Sequence, residues 1–340
     1  ATLAVGDRPG VLRTAPGQDL ALVLNEGSSS VSILRTAGGV DDIQTLPTMP
    51  HFNRLEVGPL GQHAVAYFEL EAANPLGIGS FQDVTIVDMT GESASVLDVS
   101  VGFRPRGVQF LPDESAAYVI TEDGVSILDL GGGTGYFAPT VPLTLDPVGD
   151  GDPDEVVITP DGQYAFARWT YQPLVRAVDL ETGDIVDTPL SGPPTDLDLT
   201  PQGDLLVAVV RSRSEVALLD VPADIGDASA VETIDCTPLE VGSAQLTEDG
   251  SQALLYTNAS NVKSITLADL ITGELRTAIL RKGIRWVALS PDGTAALVLH
   301  NKVPGTPQPT EEIETQLDKM YGFSLVDLES LFVKLQITDA

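Results

Sequence analysis

One turn, written seven times at near-even spacing, constrains this chain more than any other feature. Its centre falls at Gly17, Gly61, Glu114, Gly162, Gly203, Gly250 and Gly293, in contexts such as TPDGQ, TPQGD and SPDGT. Successive separations are 44, 53, 48, 41, 47 and 43 residues. Asp and Gly supply the backbone angles that a tight turn demands. A second marker keeps step with the first. Short apolar segments recur at Val31–Leu34, Val84–Met89, Val125–Leu130, Val175–Leu180, Val216–Val221, Ile265–Leu270 and Phe323–Leu328.

The stretch Leu246–Leu275 shows the unit in full. Thr247–Gly250 is a turn, Ala253–Tyr256 an apolar run of strand length, and Thr257–Asn261 a small polar loop. Val262–Leu270 alternates with period two, and Thr272-Gly273 turns the chain again. No sustained 3.6-residue period runs through it, which excludes helical repeats. A period of about 40 to 50 residues with four strands per unit is the mark of a β-propeller. One four-stranded sheet cannot bury both of its faces; seven, each packed on the next, can. The expectation is an all-β, seven-bladed β-propeller of four-stranded antiparallel blades, with one short helix inserted in the last blade. It is read as a single domain over 1–340, with blades at about 10–46, 54–101, 106–145, 154–190, 195–236, 242–281 and 285–340. Residues 1–5 and Leu331–Thr338 both read as the outermost strand that closes the ring, two candidates for one slot.

The resemblance carried by these repeats is specific. Ser290–Gly293 followed by Ala296–Leu299, Tyr256-Thr257-Asn258 followed by Ser260-Asn261-Val262, and Asp269–Leu275 resemble the YVTN/lactonase-like family of seven-bladed propellers. The likeness covers nearly the whole chain and implies the fold; the motifs are structural turns and strands, so it implies little about activity. The Gly-His and Trp-Asp dipeptides of WD repeats are absent.

Charge narrows the partners. The chain carries 49 acidic and 18 basic residues, a net −31 at neutral pH. Nucleic acid and anionic membranes are recognised by clustered Lys and Arg, so both are unsuitable partners. An acidic shell favours solubility and suits an exported protein or one living in salt. No run of about 18 apolar residues is present for a membrane-spanning helix, and no signal peptide is visible. The chain opens at Ala1 without Met, as a processed product or a piece of a longer chain does. Cys236 is the lone cysteine, so no intrachain disulfide forms, and IDCTPL reads as a buried small apolar position.

The largest insertion, His300–Tyr321, lies in the last blade. Pro304, Pro307 and Pro309 precede a segment in which Thr310 caps a short helix and Ile313, Leu317 and Met320 share a face. It reads either as a flap over one end of the ring or as a tolerated surface loop.

Two further stretches carry candidate chemistry. Asp146, Asp150, Asp152 and Asp154 fall within a short Gly-Pro loop, with Glu155 beside them. Hard oxygens at alternate positions suit Ca²⁺, and a solvated acidic turn is the alternative. Aligning the repeats on the turn places Arg54, Arg106, Asp154, Asp196 and Arg285 at equivalent starts of the innermost strands, at the mouth of the funnel. With His300 beside the insertion they make a candidate ring for a small polar ligand or a cation; mutual salt bridges around a channel are the other reading. Three scattered histidines, His51, His63 and His300, do not make a metal centre by themselves. No Gly-x-Ser-x-Gly elbow occurs. Trp169 and Trp286 read as fillers between blades.

The functional expectation is a non-enzymatic exported propeller that binds protein as a scaffold module of a bacterial surface or periplasmic assembly. The alternative is a lactonase-like hydrolase, or a propeller that holds a small ligand or metal at the funnel mouth. No cofactor is required by the sequence; Ca²⁺ is the one candidate.

Overall fold

The computed structural model describes residues 4–15, 17–37, 40–71, 77–131 and 136–338. Seven antiparallel sheets follow one another along the chain, spanning 9–47, 54–100, 107–141, 155–189, 196–235, 252–279 and 284–337. Within each, strands pair in chain order, so each sheet is an up-and-down meander. These are the blades of a seven-bladed β-propeller. The chain divides into two compact units, Ala1–Asp152 with Leu180–Gly183, and Pro153–Asp179 with Asp184–Ala340. The first unit contains sheets one to three, and the second contains sheets four to seven.

The apolar runs are near-continuous because a middle strand is covered on both faces. Leu205–Val210, LLVAVV, is buried along almost its whole length. Its side chains alternate between two cores. Leu206 and Ala208 pack with Phe166 and Val175 of the fourth sheet, whereas Val207 and Val209 pack with Ala253 and Leu255 of the sixth. Period-two alternation thus feeds two neighbours from one strand.

Six of the seven sheets have four strands, and the sixth has three. Its innermost position is filled by the segment around Ser243–Leu246, which pairs as isolated bridges Ser243↔Tyr256 and Leu246↔Ala253. Hydrogen bonds are still exchanged there: Tyr256 N–H donates to Ser243 O at 3.0 Å and Leu254 N–H to Gln245 O at 2.8 Å. Both Gly242 and Ser243 donate to the Tyr256 carbonyl, which crowds the ladder and interrupts it.

The recurring turn keeps its conformation in every sheet. Six of its seven central residues are glycines with φ between 66° and 75°, and the seventh is Glu114 with φ of 53°. That region costs a residue with a Cβ about 1 kcal/mol or more. What offsets the cost is described below.

Among the described residues two short α-helices interrupt the β structure, besides a 3₁₀ turn at Arg211–Arg213. Pro147–Asp150 is a single turn, with Pro at its start and the Asp146 carboxylate accepting from Gly149 N–H at 2.9 Å. It occupies the acidic loop, where the sequence reading has no helix. The inserted helix is Ile313–Asp318, and its N-cap is Glu312, not Thr310. A turn at Gln308–Glu311 comes first, with Glu311 accepting from Gln308 N–H at 3.0 Å, and displaces the helix start. Ala4 and Val5 are not in a strand, residues 1–3 lie outside the described residues, and Val333–Ile337 holds the outer position of the seventh sheet. Gly132 and Gly133 also lie outside the described residues.

Candidate functional site

The starts of the innermost strands bear structural ties first. Arg54 pairs with Glu69, just past the second strand of its own sheet. Arg106 lies between Glu122, at 3.1 Å, and Asp152, at 2.5 Å. Both arginines belong to the first unit. In the second, Asp154 accepts from the backbone and hydroxyl of Thr170 at 2.5 and 2.7 Å. Arg285 sits at a bulge between Ile284 and Trp286 and is exposed. Trp286 beside it is half exposed, where a filler between sheets was expected.

His300 belongs to the interior of the seventh sheet. Its Nδ1 meets the Gly283 carbonyl at 3.2 Å and its Nε2 the Ser324 hydroxyl at 2.7 Å. The carbonyl only accepts, so Nδ1 carries the hydrogen and Nε2 receives the Ser324 proton. Burial, with Lys282 nearby, depresses the imidazole pKa, and the ring stays neutral.

The acidic loop disperses its carboxylates. Asp146 caps the helical turn, Asp150 receives the Thr144 hydroxyl and Asp152 pairs with Arg106. Among the described residues no group of three or more His, Cys, Asp or Glu is gathered as a metal ion requires.

Two arrangements stand out beyond these. The first lies on innermost strands of the second unit. Arg168 donates to Glu155 at 2.6 Å, and Glu155 accepts the backbone N–H of Leu197 at 3.1 Å. Asp196 repeats this one sheet on, accepting Ala244 N–H at 2.7 Å. An innermost strand has a ladder partner on one side only, and these carboxylates satisfy hydrogens on its open side. Burial pushes the Asp196 carboxyl up to about 6. Asp198 goes further, to about 8, through burial first and then the charges of Asp196 and Glu155. Its Oδ2 is buried with no hydrogen-bond partner.

The second is the insertion in the seventh sheet. All five lysines of the chain lie at or after residue 263, and four of them brace this segment. Lys263 pairs with Asp318 at 2.9 Å. Lys282, fully buried, donates to the Leu317 carbonyl, so two cations meet the C-terminal end of the inserted helix. Lys319 pairs with Glu311, and Lys302 lies 4.3 Å from the centre of the Tyr321 ring. The helix is thus held by its polar end, not by an apolar stripe, and Ile313 is 73% exposed. Val303 and Tyr321 are also exposed. Sequence reasoning named the insertion but missed its bracing; the clustering of lysines in an acidic chain was the available signal.

Comparisons with known proteins fit the fold. No protein family matches the chain, and no curated protein matches it. Among solved structures, a chain of hydrazine synthase from Kuenenia stuttgartiensis is similar, at 14% identity and a TM-score of 0.51, over 99% of this chain and 97% of that one. The Cps50 (Swd1) β-propeller domain from Myceliophteria thermophila is similar at 14% identity and a TM-score of 0.54, over 88% and 96%. A functionally unknown protein from Desulfotomaculum acetoxidans gives 13%, 0.53, and 95% and 99%. At such identities the likeness is one of fold. The chain is of the β-propeller class. None of its described helices is long and apolar enough to cross a membrane.

Proposed function

We propose that this chain is a non-enzymatic propeller that binds a protein partner through the insertion at 301–321, as a scaffold module. The observation that carries this reading is the bracing of the insertion. Four lysines fix a segment that presents Ile313, Val303 and Tyr321 to solvent. A rigid loop with an apolar tip loses little entropy on binding. The acidic composition suits a bacterial surface or periplasmic setting, which is part of the same proposal. So is membership of the YVTN/lactonase-like branch, supported by the Tyr256-Thr257-Asn258 repeat and its neighbours.

Native mass spectrometry of the protein taken from its own source tests the reading. A second polypeptide bound to the wild-type chain and released by Ile313→Asp with Tyr321→Ser is the expected result. A chain that is always alone, or a partner indifferent to both substitutions, overturns it.

One observation favours a second reading. Asp196 and Asp198 titrate in the range where a general acid or base works. A lactonase-like hydrolase would turn over a cyclic ester and lose that turnover in Asp198→Asn. Absence of turnover by the wild-type chain, with and without divalent metal, removes it.

A further inference from the structure

Charge is spread unevenly along the second unit. Residues 281–321 carry five basic and five acidic residues, and so no net charge, in a chain of net −31. Two copies of such a chain repel over most of their surface, and this stretch is where the repulsion is least. The insertion makes up its second half. The two ends of the insertion are tied, with Val303 N–H donating to the Asp318 carbonyl at 2.8 Å.

Most charges of the insertion are matched close by. Lys319 pairs with Glu311, Asp318 with Lys263, and Glu314 meets Arg281 at 3.6 Å. Two remain, of opposite sign. Glu312 is exposed, its side chain makes no cap bond to the helix it opens, and it has no ion pair. Lys302 lies 4.3 Å from the centre of the Tyr321 ring and meets no carboxylate among the described residues. An ammonium group on a ring face keeps its other side open to an anion. Each of the two charges has an exposed apolar neighbour, Ile313 beside Glu312 and Tyr321 beneath Lys302.

We propose that the insertion pairs two copies of this chain about a two-fold axis, the Glu312–Ile313 corner of each seated on the Lys302–Tyr321 pair of the other. This rests on the reading that the insertion binds protein, and it names the partner as a second copy. An isologous contact needs one segment to carry both halves of a complementary set, because whatever one copy offers the other must accept. The insertion carries an acid with an aliphatic group and a cation with an aromatic one. A foreign partner requires only one of these halves. Burial of Ile313 and Tyr321 drives the contact, and the charges fix its register. Lys263 and Lys282 hold both halves on one braced element, so little order is lost on pairing. A single insertion offers less than the roughly 800 Å² per partner of a standard interface, so the dimer is reversible, with a dissociation constant in the micromolar range.

Sedimentation equilibrium of the whole chain over about 1–200 µM tests this. A reversible monomer–dimer equilibrium is expected for the wild type. Lys302→Glu and Glu312→Lys each set like charges face to face at two symmetric contacts. Each should weaken dimerisation about tenfold or more. Glu248→Lys makes the same change of net charge as Glu312→Lys on an exposed turn of the sixth sheet, and should not weaken it. An equimolar mixture of the Lys302→Glu and Glu312→Lys chains should dimerise again, since both contacts then join unlike charges. Native mass spectrometry should show the mixed species, a rescue that damage to the fold does not give. A wild-type chain that stays monomeric, or variants that fail to pair when mixed, overturns the proposal. With a monomeric wild type, a different polypeptide released by Ile313→Asp with Tyr321→Ser leaves the scaffold reading standing, whereas a chain always alone removes both.

Discussion

Asp196 and Asp198 lie two residues apart on one strand, so the pleat turns both carboxyl groups to the same side of the fifth sheet. Asp196 spends an oxygen on Ala244 N–H, and Asp198 Oδ2 has no partner. Asp198, pushed up to about 8, holds its proton at neutral pH in the folded chain. In the unfolded chain it ionises near the ordinary value of about 4. Between those values the folded state binds more protons, so the contribution of Asp198 to stability falls as pH rises from about 4 to about 8 and is level beyond. Asp198→Asn should therefore raise stability at pH 8, by up to about 5 kcal/mol, and have little effect near pH 4. Urea denaturation of both proteins across that range checks it; a loss of stability at pH 8 contradicts the assignment.

Glu114 takes the place of a turn glycine, and its carboxylate satisfies three backbone hydrogens of the neighbouring sheet. Glu114→Gly relieves the strained φ but leaves those hydrogens unpaired, the His63 one buried and the other two part-buried. The second effect is larger, at roughly 1–3 kcal/mol for each unpaired group against about 1 for the strain. Net destabilisation of at least about 2 kcal/mol is expected from denaturant midpoints. A neutral or stabilising result would show that the turn, not the carboxylate, sets the outcome.

The pair Lys263–Asp318 ties the inserted helix to the sixth sheet, with both side chains mostly buried. A double-mutant cycle with Lys263→Met and Asp318→Asn should give a coupling of about 1 kcal/mol. Either substitution should also expose 303–317 to limited proteolysis while the sheets persist. Additive effects with unchanged cleavage would place the bracing elsewhere.

Cys236 is fully buried, and burial, with the charges of Asp235 and Glu215, pushes its thiol up to about 11. Alkylation by iodoacetamide at pH 8 should proceed no faster than the chain opens, because the thiolate is the nucleophile. Its rate should rise with sub-denaturing urea. Rapid labelling of the native protein would disprove this burial.

The repeat made the architecture legible, since its turn and its apolar third strand are local in sequence and need no partner to be recognised. The site was less so. Arg54 and Arg106 stand at the strand starts where alignment put them, yet their guanidinium groups are tied to Glu69, Glu122 and Asp152. A charge read along the chain says nothing of the carboxylate it meets across a sheet. His300 was placed beside the insertion by sequence neighbourhood, whereas its ring turns inward to Gly283 and Ser324. Ile313, Leu317 and Met320 were expected to share one face of the inserted helix; the lysines at 263 and 282 that hold it lie outside the segment. Glu114 was visible as a break in the turn, but the three hydrogens it serves lie more than fifty residues earlier.

A strand such as Leu205–Val210, which gives alternate side chains to the sheets before and after it, has a consequence for evolution as well as for folding. A change of volume at Val207 must be answered in the sixth sheet, and one at Ala208 in the fourth, so neighbouring codons answer to different partners. Accommodation can then spread through the second unit by adjacent pairs, without any one substitution being felt by the whole. Such a chain can change far in sequence while its meander stays fixed.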